Sequence, residues 1–158
     1  MTKYDWLLLF HILGAFLIFS GSIVAGILQF AATRRERPSE IALLLGLMQP
    51  AVIAIGVGAI VTLGLGFWLA DDAGYGIGEG WVVAAIALWV VAQALGGLGG
   101  KPLGRAAALA QRLAEDGDQP SAELHRAVAD RRAFVLSYLS FAAVIAILVL
   151  MVFKPGAG

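Results

Sequence analysis

The chain of 158 residues contains no cysteine, which excludes disulfides, thiolate metal sites, iron–sulfur clusters and cysteine-attached haem. Charge is also scarce. Asp, Glu, Lys and Arg make up 14% of the residues, 11 acidic against 11 basic, and no block of one sign argues for nucleic acid. There is no phosphate-binding glycine loop, no His-Glu-x-x-His helix and no nucleophile elbow, so no catalytic constellation is legible. Methionine occurs 3 times, the start included, and Met48 and Met151 fall at opposite depths. Copper import would favour methionine and cysteine ligands. What is abundant is apolar surface: 60% of residues are hydrophobic and the mean hydropathy is +0.87. A soluble domain is about half apolar and about a quarter charged. A chain of this size cannot hide that excess in a core, so lipid must solvate much of it.

Four stretches meet the requirement of about 20 mainly apolar residues for a span. They are roughly 4–32, 41–70, 80–98 and 134–153. The first is too long for a cleavable signal-peptide core of about 7–15 residues and reads as a retained span. The expected fold is all-α: one integral membrane domain over 1–158, four transmembrane helices in an antiparallel bundle. In the first connection, "TRRERPSE", Pro38 is a stop signal and Ser39 a cap for the next helix. The second, "DDAGYGIGEG", is acidic and glycine-rich. The third, about 101–133, is long. Leu103, Ala106, Ala107, Ala110, Leu113 and Ala114 recur there at helical spacing, with Arg105, Gln111 and Arg112 off the stripe. This predicts an amphipathic cytoplasmic helix before the last span. Gly117 ends it, and Pro120-Ser121 starts another that runs straight into the fourth span. Nine basic residues fall in loops 33–40 and 101–133, against Lys3 and Lys154 on the other side. The excess of Lys and Arg in those two loops puts them in the cytoplasm and both termini outside the inner membrane.

Small residues four apart mark close helix contacts: Gly58, Thr62 and Gly66; Ala92, Gly96 and Gly100; Ser22 and Gly26. They suit either packing inside the bundle or a homo-oligomer. Pro50 removes a backbone hydrogen bond and should kink the second span, and Gln49 beside it can bond the freed carbonyls.

Polar side chains inside the spans are few: His11, Gln29, Gln49, Thr62 and Gln93, with some serines and Tyr138. An intramembrane ionisable group is a functional hypothesis. His11 lies about 10 Å into the first helix at about 1.5 Å per residue. It is either a ligand for haem iron, copper or zinc, or an imidazole hydrogen-bonded across helices, to Thr62 or a free carbonyl. In the haem reading, Trp68 and Trp89 supply aromatic walls and Met151, at the same outer level, a second axial ligand. Trp6, Trp68 and Trp81 also suit an interfacial aromatic belt. His125 sits in a charged segment and reads as a solvated surface residue.

"LFHILGAFLIFSG" followed by the basic "RRER" resembles the first helix of the copper-resistance protein D group. HemJ-type protoporphyrinogen oxidases share a histidine followed by a glycine about ten residues on, here His11 and Gly21. The end "VLMVFKP" is similar to that of an uncharacterised bacterial family of four-span predicted integral membrane proteins. The HemJ likeness implies haem b held through His11. The Pro-Arg that follows the glycine there has no counterpart in "SIVAGILQF", so oxidase activity is not carried over. Three functions follow: a haem-b or metal-binding redox protein, a non-catalytic accessory subunit of a larger membrane complex, or a small permease using His11, Gln93 and Thr62.

Overall fold

The helical periodicity is realised in five helices: α1 (Lys3–Ala32), α2 (Pro38–Asp72), α3 (Gly80–Glu115), α4 (Ala122–Val128) and α5 (Arg131–Phe153), in a computed structural model that describes residues 2–76 and 78–155. No strand occurs among the described residues. The helices α1, α2, α3 and α5 contain segments long and apolar enough to cross a membrane. Their outer faces carry large apolar side chains, such as Phe16 and Ile60, that only lipid would solvate without cost.

Helix ends follow local chemistry. At the start of α1, the Thr2 hydroxyl accepts from the Asp5 N–H at 3.3 Å and the Asp5 carboxylate accepts from the Thr2 N–H at 2.6 Å, a reciprocal capping box. The start of α2 departs from expectation. Pro38 stands in the first turn, and Ser39 lies inside the helix rather than at its cap. The cap comes from elsewhere in the chain. The Ser39 N–H and hydroxyl both donate to the Asp118 carboxylate, each at 2.8 Å. Asp118 reaches there from the α3–α4 loop with a left-handed φ of 56°.

α3 does not stop at Leu98. It runs unbroken for 36 residues, about 54 Å at about 1.5 Å per residue, so the stripe expected on a separate helix belongs to its C-terminal half. Leu103, Ala106 and Ala110 are buried there against Ile41, Leu45 and Met48 of α2 and Leu124 and Val128 of α4, while Arg105, Gln111 and Arg112 are exposed. Nor does α4 run straight into the last span. Asp130 interrupts it and caps α5, accepting from the Arg132 N–H at 2.9 Å.

The spans associate as two close pairs. α1 packs extensively on α2 and α3 on α5; α2 and α3 join the pairs, while α1 and α5 touch only sparsely. Glycines set both close contacts. A Cβ on Gly58 would lie 2.5 Å from the Gly14 carbonyl oxygen, and one on Gly21 would lie 2.9 Å from the Ala51 carbonyl oxygen. Between α3 and α5, the Ser140 hydroxyl donates to the Ala92 carbonyl at 2.8 Å, and a Cβ on Gly99 would meet the Ala133 carbonyl at 3.2 Å. The chain thus uses most of its small-residue faces internally. Gly26 and Gly100 face open space. Residues 38–72 stay helical through Pro50, and Gln49 is exposed on the bundle surface, with no side-chain hydrogen bond among the described residues.

Candidate functional site

The bundle is solid at one end and hollow at the other. The solid end is the cluster of Ile41, Leu45, Leu103, Ala106, Leu124 and Val128, beside the α1–α2 loop. At the opposite end, between the two helix pairs, lies a cavity of about 430 Å³, within the range of about 300–1,000 Å³ typical of ligand sites. Its walls come from the first half of α1, the last third of α2, the start of α3 and the end of α5. It exists because α1 and α5, the facing walls, barely meet. Their contact includes Phe19 and Phe141, whose ring centroids are 5.1 Å apart. On those two walls the lining residues Leu8, Ile12, Leu148 and Val152 are also exposed on the bundle surface. The seam between α1 and α5 therefore leaves the cavity open at the side, with apolar edges.

Five of the residues singled out in the sequence line this one cavity: His11, Met151, Trp89, Thr62 and Gln93. Three others stand apart. Trp68 is 48% exposed on the bundle surface, with the Lys3 ammonium 4.5 Å from its ring centroid. Gly66 and Ala70 of the same helix line the cavity, and a residue two positions from Gly66 is turned about 200° away at about 3.6 residues per turn. Gln49 and Pro50 lie on α2 well towards the solid end and do not line the cavity.

His11 is only 9% exposed. Its ring fits because residue 66 is glycine. A Cβ there would lie 3.1 Å from the imidazole Cε1 and 3.4 Å from Nδ1. The ring lies beside the Thr62 backbone carbonyl, yet Nδ1 is buried without a well-formed hydrogen bond among the described residues. The Thr62 hydroxyl and the indole N–H groups of Trp81 and Trp89 are likewise buried and unpartnered, as is the Gln29 amide nitrogen, which does not line the cavity. Four orphaned polar atoms thus belong to residues around one apolar chamber. Buried polar groups in native proteins are overwhelmingly paired, so such a cluster calls for an explanation.

Residues at the cavity mouth complete the site. Trp81 is buried, its ring edge-on to Tyr75 with centroids 5.3 Å apart. The Lys154 ammonium sits 4.8 Å from the Tyr75 ring centroid and 5.8 Å from that of Trp81. None of these three stands out in the sequence, because aromatic and basic residues at span ends are ordinary interfacial anchors. Among the described residues, no group of three His, Cys, Asp or Glu side chains converges. His11 therefore has no protein co-ligands of the kind that structural zinc requires.

Four antiparallel spans with a thin core, an apolar lipid-facing surface and a side-opening chamber define a multi-pass integral membrane protein seated in a lipid bilayer. The chain belongs to the family described as predicted integral membrane protein (DUF2269), which matches residues 5–155. No curated protein and no solved structure matches the chain.

Proposed function

We propose that this protein binds haem b in the cavity, with His11 as axial ligand. The observation that carries the reading is a nearly buried imidazole that lines the same largely apolar chamber as Met151. A bare divalent ion needs three or four protein ligands, whereas a haem brings four nitrogens of its own and needs one or two axial ligands from the protein. The donor set of one histidine and one thioether suits the second case. Nδ1 lies towards Gly66, so Nε2 would be the nitrogen left to bind iron. Met151, which lines the same cavity, would be the second donor. Trp89, Ile86 and Val144 supply an apolar wall that excludes water from a macrocycle. Bound there, iron would supply a one-electron redox centre. The resemblance of the first helix to HemJ-type proteins, through His11 and Gly21, implies the same ligand. We propose further that loops 33–40 and 101–133 face the cytoplasm, which sets the cavity and both termini on the outer side.

The test is a visible spectrum of protein purified gently from haem-replete cells, oxidised and then dithionite-reduced, beside His11→Ala. The expected result is a Soret band that shifts on reduction and is lost in the variant while the helical content is kept. A colourless wild type, or a band indifferent to His11→Ala, would overturn the reading. The former would turn attention to an accessory-subunit role and to copurifying partners.

A further inference from the structure

We infer that Lys154 forms an anion site at the cavity mouth that takes the carboxylate of a bound amphiphile. The inference rests on the same cavity as the haem reading, but not on iron ligation. Among the described residues, Lys154 is the one lysine or arginine that lines the cavity, and no carboxylate lines it. A ligand held there meets one fixed positive charge and otherwise largely apolar walls.

The placement of this lysine differs from that of an ordinary snorkelling residue at a helix end. Lys154 caps α5 in the left-handed region, at φ 41°. Its side chain is partly buried, and its ammonium lies in the corner formed by the edge-to-face rings of Tyr75 and Trp81. Cation–π contacts of this kind orient an ammonium but leave its N–H donors unsatisfied. Among the described residues Lys154 has no acidic partner; the one ion pair there is Arg35–Glu40, at the solid end. A partly buried cation whose donors are unpaired among the described residues, at the end of a largely apolar chamber, fits an anionic head on an apolar body. The ligand class is thus a lipophilic carboxylate. A porphyrin propionate carries that chemistry, and so does a fatty acid.

The test uses the full chain in zwitterionic lipid nanodiscs. The probes are protoporphyrin IX, its dimethyl ester and a fluorescent polyene fatty acid, each titrated by fluorescence. Lys154→Gln should raise the Kd for protoporphyrin IX about tenfold, the loss expected for one charge-assisted hydrogen bond. The dimethyl ester should bind both proteins alike, and Lys154→Arg should restore acid binding. Both substitutions keep a non-glycine residue in the left-handed cap, so a folding defect would affect them together. Equal affinities for the acids with and without Lys154, equal losses for acid and ester, or no binding of either acid would overturn the site. Lys154-dependent binding of protoporphyrin IX without a His11-dependent haem spectrum would keep the anion site and remove the iron ligation. Lys154-dependent binding of the fatty acid alone would keep the site and remove the tetrapyrrole.

Discussion

Gly58 and Gly14 face each other where α1 crosses α2, and the missing Cβ atoms decide how near the two backbones come. An alanine at 58 would place its methyl 2.5 Å from the Gly14 carbonyl oxygen and 3.0 Å from the side chains of Leu17 and Ile18. Backbone cannot yield as a side-chain tip can. Gly58→Ala should therefore destabilise the protein by about 1–3 kcal/mol, the usual cost of overpacking. At Gly64, on the same helix, an added methyl would meet nothing within 4 Å. Gly64→Ala should be neutral or mildly stabilising, since alanine is the better helix former by about 1 kcal/mol. Tryptophan fluorescence during denaturant titration in mixed micelles compares them, and matching midpoints would show that the close approach does not hold the pair. The same scale shows what the sequence could reveal of the site. His11, Thr62 and Gln93 stand out because lipid makes any polar side chain conspicuous, and all three line the cavity. Trp81, Tyr75 and Lys154 do not stand out, since at a span end they resemble interfacial anchors. Trp68 misleads for the same reason in reverse: its type suits a cofactor wall, but its register puts it on the surface beside Lys3.

Among the elements, the four spans were legible from apolar length alone, while their ends were not. Gly96-Gly97-Leu98-Gly99-Gly100 followed by Pro102 reads as a helix terminus by propensity. Packing overrides it. Gly96 and Gly99 admit Ser140 and Ser137 of α5, and Leu103, Ala106 and Ala110 continue the buried face onto α2 and α4. The Asp118 cap was illegible because its donor and acceptor are 79 residues apart in sequence. Its chemistry is testable by pH. The Ser39 N–H, then the Ser39 hydroxyl, then Arg37 hold the Asp118 carboxyl below its ordinary 3.8. A carboxylate whose folded value is depressed contributes stability that is fully present above the unfolded value and is lost as pH falls through the folded one. Wild type should therefore melt at a slightly higher temperature than Asp118→Asn at pH 7. That gap should hold down to about pH 5 and narrow as the pH falls through the ordinary carboxylate range of about 3.9 and below, as the carboxylate protonates. A gap that persists unchanged at pH 3 would mean that the Asp118 charge is not what caps α2.

For the molecule as a whole, the two ends differ in both packing and charge. The solid end carries the tight cluster around Leu124 and nine of the basic residues, at 34–37 and between 101 and 132. The hollow end carries the chamber, Lys3, Lys154 and the acidic Asp71, Asp72 and Glu79. Arginine and lysine near span ends resist translocation, and the bias counts within about 15–20 residues of them. The proposed orientation rests on the same asymmetry that separates core from cavity; in it, the folded cap would stay with the cytoplasm and the chamber would open near the outer leaflet. The absence of cysteine makes this directly measurable. Single cysteines at Glu36→Cys and Asp72→Cys, both at exposed positions on opposite ends, can be labelled with a membrane-impermeant maleimide in right-side-out vesicles. The Asp72 variant should label in intact vesicles and the Glu36 variant only after permeabilisation. The reverse pattern would put the chamber and Lys154 on the cytoplasmic side. A lipophilic carboxylate would then reach the open α1–α5 seam from the inner leaflet, and a redox partner for His11-bound haem would have to be sought in the cytoplasm.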